Sequence, residues 1–197
     1  MTAQQGLIGH QTVVTWLGQD VLTLAPLWPS VPVRAVIVGV NPPPRSVDAG
    51  HYYQGQRGTF AFNFLRRAGV LDPKPGVGEY EDDCAVEQGI GFTDLAPRPT
   101  VTAGDLRVSE RRSQLDQLSR RLAEHNPPLI IAVFQPVVED LLGVRRSQPG
   151  LQQVLFNGAI PVFQLPTSQY GTPTDKDAVA AQLSHLWRDL HGRPGLS

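Results

Sequence analysis

VRAVIVGV, residues 33–40, is an apolar, β-branched run bounded by prolines, and it reads as a strand buried on both faces. Working outward, the next such run is LIIAVF at 129–134, placed directly after Pro127 and Pro128. Between and after these runs lie segments of helical character: TFAFNFLRRAG (59–69), residues 79–88, RVSERRSQLDQLSRRLAEH (107–125), VVEDLLG ending at Gly143, and TDKDAVAAQLSHLWRDL (174–190). In 107–125, Leu115, Leu118 and Leu122 fall on one face. The last helix is expected to open on a Thr174 cap. GIGFTDLAPRPT (89–100) reads as a short strand running into a loop, and VLFNGAIPVFQLP (154–166) as paired strands about Asn157-Gly158. Residues 10–24, HQTVVTWLGQDVLTL, read as an amphipathic helix. Strands interleaved with helices predict an α/β fold, a three-layer α/β/α sandwich with a short, mostly parallel central sheet. The expectation is a single domain over residues 1–197, with 1–30 as a helical extension.

The chain has 197 residues, 41% hydrophobic and 18% charged, which excludes a disordered chain and a coiled coil. No apolar run reaches the length of a membrane span, and MTAQQGLIGHQ lacks the n- and h-regions of a signal peptide, so a soluble cytoplasmic protein is expected. One cysteine, Cys84, excludes an intramolecular disulfide, a cysteine-held iron–sulfur cluster and a multi-cysteine zinc site. His185 and His191 are off ligand spacing, so neither a metal nor any other cofactor is expected. The net charge is −1, and of 17 basic residues only Lys74 and Lys176 are lysines. Arginine suits phosphate, whereas a Schiff-base amine has few seats here.

Ligands of such sheets bind beyond the carboxyl ends of the strands. Three unusual segments follow strands: NPPPRSVDAGHYYQ, TDLAPRPT and LPTSQYGTPT. GVNPPP (39–44) is no phosphate loop, because its prolines remove the amide donors such a cradle needs. It instead presents the Asn41 carboxamide, which holds a water through its oxygen or donates through its nitrogen.

Together these segments resemble the uracil-DNA glycosylase superfamily, in particular its mismatch-specific uracil/thymine-DNA glycosylases. The family's Gly-Ile-Asn-Pro-Gly is matched at 39–43 with Pro43 in place of the last glycine. GFTDLAPRPT resembles Gly-Val-Thr-Lys-Leu-Val-Asp-Arg-Pro-Thr, and Leu165–Tyr170 corresponds to Asn-Pro-Ser-Gly-Leu-Ser. The likeness spans about residues 33–190. It implies that Asn41 positions the attacking water, Gly39, Val40 and Ser46 line the base pocket, and Tyr53 stacks on the everted base. Asp94 stands where the family has lysine; a carboxylate there is expected to share the catalytic role, activating water or stabilising an oxocarbenium ion. Arg45, Arg57 and Arg98 are expected on backbone phosphates. Pro166, Thr167, Ser168, Gln169 and Tyr170 are expected to bind DNA, with Gln169-Tyr170 lying where the family inserts its leucine wedge.

Lys74 and Lys176 read as solvated, so the expected activity is that of a monofunctional, monomeric glycosylase acting on DNA that carries uracil or a mismatched pyrimidine. Two alternatives stand beside it. One is a non-catalytic nucleotide- or nucleic-acid-binding α/β domain. The other is a small-molecule hydrolase, for which no Gly-x-Ser-x-Gly elbow is present.

Overall fold

A computed structural model describes residues 6–73 and 75–192. Lys74 and the first five residues of the expected N-terminal extension lie outside them. The first apolar run forms β3 (Ala35–Gly39), every residue of which is buried. Ala35 and Ile37 face one hydrophobic cluster while Val36 and Val38 face another, so the strand is apolar on both sides and shows no alternation in sequence. β4 (Ile90–Asp94), β5 (Ile130–Ala132), β6 (Gly150–Leu151) and β7 (Val162–Gln164) complete a five-stranded sheet of order β4-β3-β5-β7-β6. The pairings β3–β4, β3–β5 and β5–β7 are parallel, and only β6 runs antiparallel.

Helices cover both faces, giving the three-layer α/β/α sandwich. On one side lie α1 (Pro44–Ala49), α2 (Gln56–Arg67), α3 (Glu81–Glu87) and α7 (Pro173–His191), which contribute Val47, Phe62, Leu65, Ala85, Leu183 and Trp187 to the first cluster. On the other lie α5 (Leu115–His125) and α6 (Gln135–Leu142), which bury Leu118, Leu122, Val137 and Val138. Among the described residues no helix is long and apolar enough to cross a membrane.

Three local expectations are corrected. Residues 10–24 are not a helix but a β-hairpin, β1 (Gln11–Trp16) and β2 (Gln19–Leu24), in antiparallel register from Gln11↔Leu24 to Trp16↔Gln19. The two-residue turn takes φ 49° at Leu17 and 78° at Gly18, the positive pair that matches strand twist. Val13 and Leu17, on the stripe a helix would have buried, are exposed; Trp16 is the anchor, its Nε1 donating to Ser113 Oγ at 3.0 Å. The long helix expected over 107–125 is two: α4 (Val108–Arg112) and α5, broken where the Ser113 hydroxyl donates to the Glu110 carbonyl. Finally, α7 is capped by Thr172 and not Thr174. Pro173 suits the first helical position, and Thr172 and Asp175 form a reciprocal capping box.

The Asn157-Gly158 turn forms where expected, with φ 50° and 71°, but its arms make only a Phe156↔Ile160 bridge. β7 pairs with β5 and β6 instead.

Candidate functional site

The strand order reverses beside β3, whose neighbours β4 and β5 follow it in the chain and lie on opposite sides. At such a switch point the loops leaving adjacent strand ends diverge and leave a crevice. Here the crevice is a cavity of about 700 Å³ whose walls include Gly39, Val40, Asn41, Arg45, Tyr53, Arg57, Thr100, Phe134, Gln135 and Thr167. The segments after β3, β4, β5 and β7 all reach it. An adjoining cavity of about 260 Å³ is lined by Arg57, Phe60, Phe134 and residues 165–169, so Leu165, Pro166, Thr167, Ser168 and Gln169 form its far rim.

Asn41 is oriented unambiguously. Its Nδ2 donates to the Arg98 carbonyl at 2.7 Å and to Thr100 Oγ1 at 2.8 Å. The Arg98 carbonyl can only accept, and Thr100 Oγ1 spends its own proton on the Thr102 carbonyl at 2.7 Å. The nitrogen must therefore face this pair, which leaves Oδ1 as the amide's remaining polar atom at the cavity wall.

Tyr53 also lines the cavity and is held with φ +56°, a left-handed conformation that a bulky residue rarely adopts. Its ring packs edge-on to Phe62 at 6.1 Å, and its buried Oη has no partner among the described residues. Burial, reinforced by the Asp94 carboxylate, pushes its phenol well above the ordinary value.

Asp94 is in register with Gly39 at the ends of β4 and β3. A Cβ on Gly39 would overlap the Asp94 carboxylate and come within 2.9 Å of Tyr53 Oη, a steric reason for glycine at this position. Asp94 is nevertheless absent from the wall of the large cavity and lines a separate one of about 240 Å³ under the hairpin, with Tyr52, Thr93, Gln114, Gln117 and Arg121. Burial raises its pKa to about 7. The expected juxtaposition of Asp94 with Asn41 in one pocket is thus corrected: the two residues flank the same strand end from different cavities.

Other expected site residues divide. Arg45 and Arg57 are exposed at the rim of the large cavity, and neither forms an ion pair among the described residues. Arg98 is engaged elsewhere: its side chain binds the Glu110 carboxylate at 2.8 Å and the Asp105 carbonyl at 3.1 Å. Ser46 is buried and does not line the cavity; its amide donates to the Pro43 carbonyl at 2.9 Å and its hydroxyl accepts the Gln54 N–H at 3.0 Å. The start of α1 and the loop after it thus engage the Ser46 groups expected to meet a base, while Gly39 and Val40 stay on the cavity wall. Tyr170 packs on the core while Thr167, Ser168 and Gln169 are exposed, so Gln169 and not Tyr170 is the protruding side chain. Lys176 Nζ donates to the Ser168 carbonyl at 2.7 Å and steadies this loop. On α4, Arg111 and Arg112 both bind the buried Asp140 carboxylate, at 2.8 and 2.7 Å, and are not a free phosphate face.

Sequence reasoning missed Phe134 and Gln135. The signal was present, since Phe-Gln-Pro directly follows the β5 run and so stands at the same carboxyl edge as Asn41.

No protein-family model matches the chain.

Proposed function

We propose that the chain is a monofunctional DNA glycosylase that everts uracil, or a mismatched pyrimidine, into the large cavity and hydrolyses its N-glycosidic bond. The observation carrying this reading is the Asn41 amide, locked by Arg98 and Thr100 with its oxygen left for a ligand at the switch-point cavity. Such an oxygen accepts one proton of a water and aims the water's lone pair. As the bond from C1′ to the base breaks, the base leaves as an anion, the water oxygen bonds to C1′, and the water's proton passes to solvent or to the departing base. Tyr53 offers an aromatic wall, and stacking of a base on such a ring is worth roughly 1–3 kcal/mol. Arg45 and Arg57, exposed at the cavity rim, are the residues assigned to the flanking phosphates in this reading. Eversion costs a few kcal/mol and is least at a mismatched pair, which favours such sites before any pocket contact is made.

Asp94 enters this reading as a charge beside Gly39, on a residue outside the wall of the large cavity, and not as a group touching the nucleotide. A carboxylate there favours positive charge developing on the sugar, so excision should quicken as pH rises through about 7.

A second reading, a pocket that binds a base without cutting, is favoured by Ser46 and Asp94 both lying outside the cavity. Duplexes carrying U:G, U:A or T:G, together with single-stranded U, are incubated with the protein and treated with alkali. Cleavage at the lesion, lost in Asn41→Ala, is expected of the glycosylase. Tight binding without alkali-labile sites would replace it with the second reading. A borohydride-trapped covalent adduct would refute the monofunctional mechanism. Cys84 gives the small-molecule hydrolase no support: it lies on α3, outside the cavity wall, and burial pushes its thiol up.

A further inference from the structure

The fold gathers four side chains that the sequence scatters. His10 stands just before β1, His51 follows α1, and Asp82 and Asp83 occupy the first turn of α3. One potential ligand atom from each lies within 4.8 Å of all the others. His10 Nε2 is 2.6 Å from Asp83 Oδ1 and 3.9 Å from Asp82 Oδ2, and His51 Nδ1 is 3.1 Å from Asp82 Oδ1 and 3.7 Å from Asp83 Oδ2. We propose that these four residues form a binding site for one divalent transition-metal ion, with zinc the best fit, which clips the N-terminal hairpin to the body of the domain.

The first argument is charge. Two carboxylates and two neutral imidazoles carry −2, the complement of a divalent ion. The Asp82 side chain is fully buried with no lysine or arginine paired to it among the described residues, and a buried carboxylate is costly unless it is paired or coordinates a metal.

The second is donor geometry. Tetrahedral zinc with bonds of about 2.0–2.2 Å to nitrogen and oxygen separates its ligand atoms by roughly 3.4 Å. The four nitrogen–oxygen separations quoted above, from 2.6 to 3.9 Å and counting either oxygen of each carboxylate, bracket that value, and one atom from each residue lies within 4.8 Å of the other three, so the cluster is already of the size a single ion needs. Two imidazoles disfavour magnesium and calcium, which take oxygen ligands.

The third is that the positions are built in. His10 N donates to the Gly50 carbonyl at 2.7 Å, and Gln11 Nε2 to the Val47 carbonyl at 2.6 Å. The backbones of Gly9 and Gly50 cross so closely that a Cβ on Gly9 would come within 2.5 Å of the Gly50 oxygen and 3.0 Å of His51 Nε2. His51 is buried and stacks on Tyr80 with ring centroids 3.4 Å apart. Asp82 Oδ2 accepts the Tyr52 N–H at 2.7 Å, an outer bond of the kind that orients metal ligands. The His10 and Asp83 side chains are 27% and 45% exposed, which leaves a way in from solvent.

The site is separate from the large cavity, and the inference stands whether or not the chain cuts DNA. It does bear on the wall of that cavity, because Tyr53 follows His51 by two residues and the Tyr52 amide is held by Asp82.

The test uses the full chain freed of any affinity tag, stripped with chelator, loaded with Zn2+ and desalted. Zinc per chain is measured by mass spectrometry and affinity by competition with a chromophoric chelator, and Co2+ loading is followed for tetrahedral visible bands. About one zinc per chain is expected, with a higher melting temperature than the stripped protein. His10→Gln and Asp83→Asn remove part-exposed ligands and leave the core intact, which circular dichroism checks. Each should weaken zinc binding at least tenfold, the lower end of what even an outer-shell partner contributes. No zinc retained by the native chain, or retention falling less than tenfold in these variants, overturns the proposal and leaves two histidine–aspartate ion pairs.

Discussion

Asp94→Asn should stabilise the protein at neutral and alkaline pH, by an amount set by the place of the carboxyl in the fold. At the end of β4 it sits over Gly39, among Tyr52, Thr93 and Arg121, and burial raises its pKa from the ordinary 3.8 to about 7. Below about pH 4 the carboxyl is protonated in both folded and unfolded chains and does not bear on stability. Between about 4 and 7 the folded chain keeps a proton that the unfolded chain has released, so the wild type loses stability as pH rises. Above about 7 both forms are charged and the full cost of holding the charge in the fold is present. At 1.36 kcal/mol per pH unit that cost is at most about 4 kcal/mol. The asparagine variant keeps the shape without the charge and escapes this loss. Urea unfolding of both proteins at about pH 4.5, 6 and 8 measures it. The variant should gain on the wild type across this range and then level off. A stability difference that is flat with pH, or that favours the wild type more at pH 8 than at 4.5, would refute the assignment of a buried, high-pKa carboxyl to Asp94.

Asn41→Ala should lower uracil release by about 10²–10³-fold while leaving affinity for abasic-site DNA little changed, since the amide oxygen is assigned to the water; single-turnover kinetics with a binding titration checks both. Arg45→Ala and Arg57→Ala should each reduce the slope of log K against log salt by about 0.9, read by fluorescence anisotropy, whereas Arg98→Ala should leave the slope unchanged because its guanidinium is committed to Glu110. Gly39→Ala should destabilise by about 1–3 kcal/mol through overlap with Asp94, and Asp94→Ala in the same chain should recover part of it in a thermal-melt double-mutant cycle.

Residues 33–40 and 129–134 announced two central strands because a strand buried on both faces must be apolar throughout, and nothing else in a chain of this composition needs such short runs. Gly143 and Asn126 end their helices in left-handed conformations as their residue types allow. Asn41 at a strand's carboxyl end was likewise legible, since topology alone sends such residues to the crevice. Residues 10–24 were not. Val13, Val14, Leu17, Val21 and Leu24 satisfy a helical stripe about as well as a strand, and the turn at Leu17-Gly18 together with the seat for Trp16 beside Ser113 decided between them. The side of Gly39 on which the Asp94 carboxyl falls depends on strand register and on what already fills the wall. Ser46 was lost to the site because its amide closes the first turn of α1 and its hydroxyl accepts the Gln54 N–H of the loop that follows. The histidine–aspartate cluster lies furthest beyond sequence reading. Its members come from the residue before β1, the loop after α1 and the start of α3; the close approach of Gly9 to Gly50 joins the first two, and the bond from the Tyr52 N–H to Asp82 joins the third.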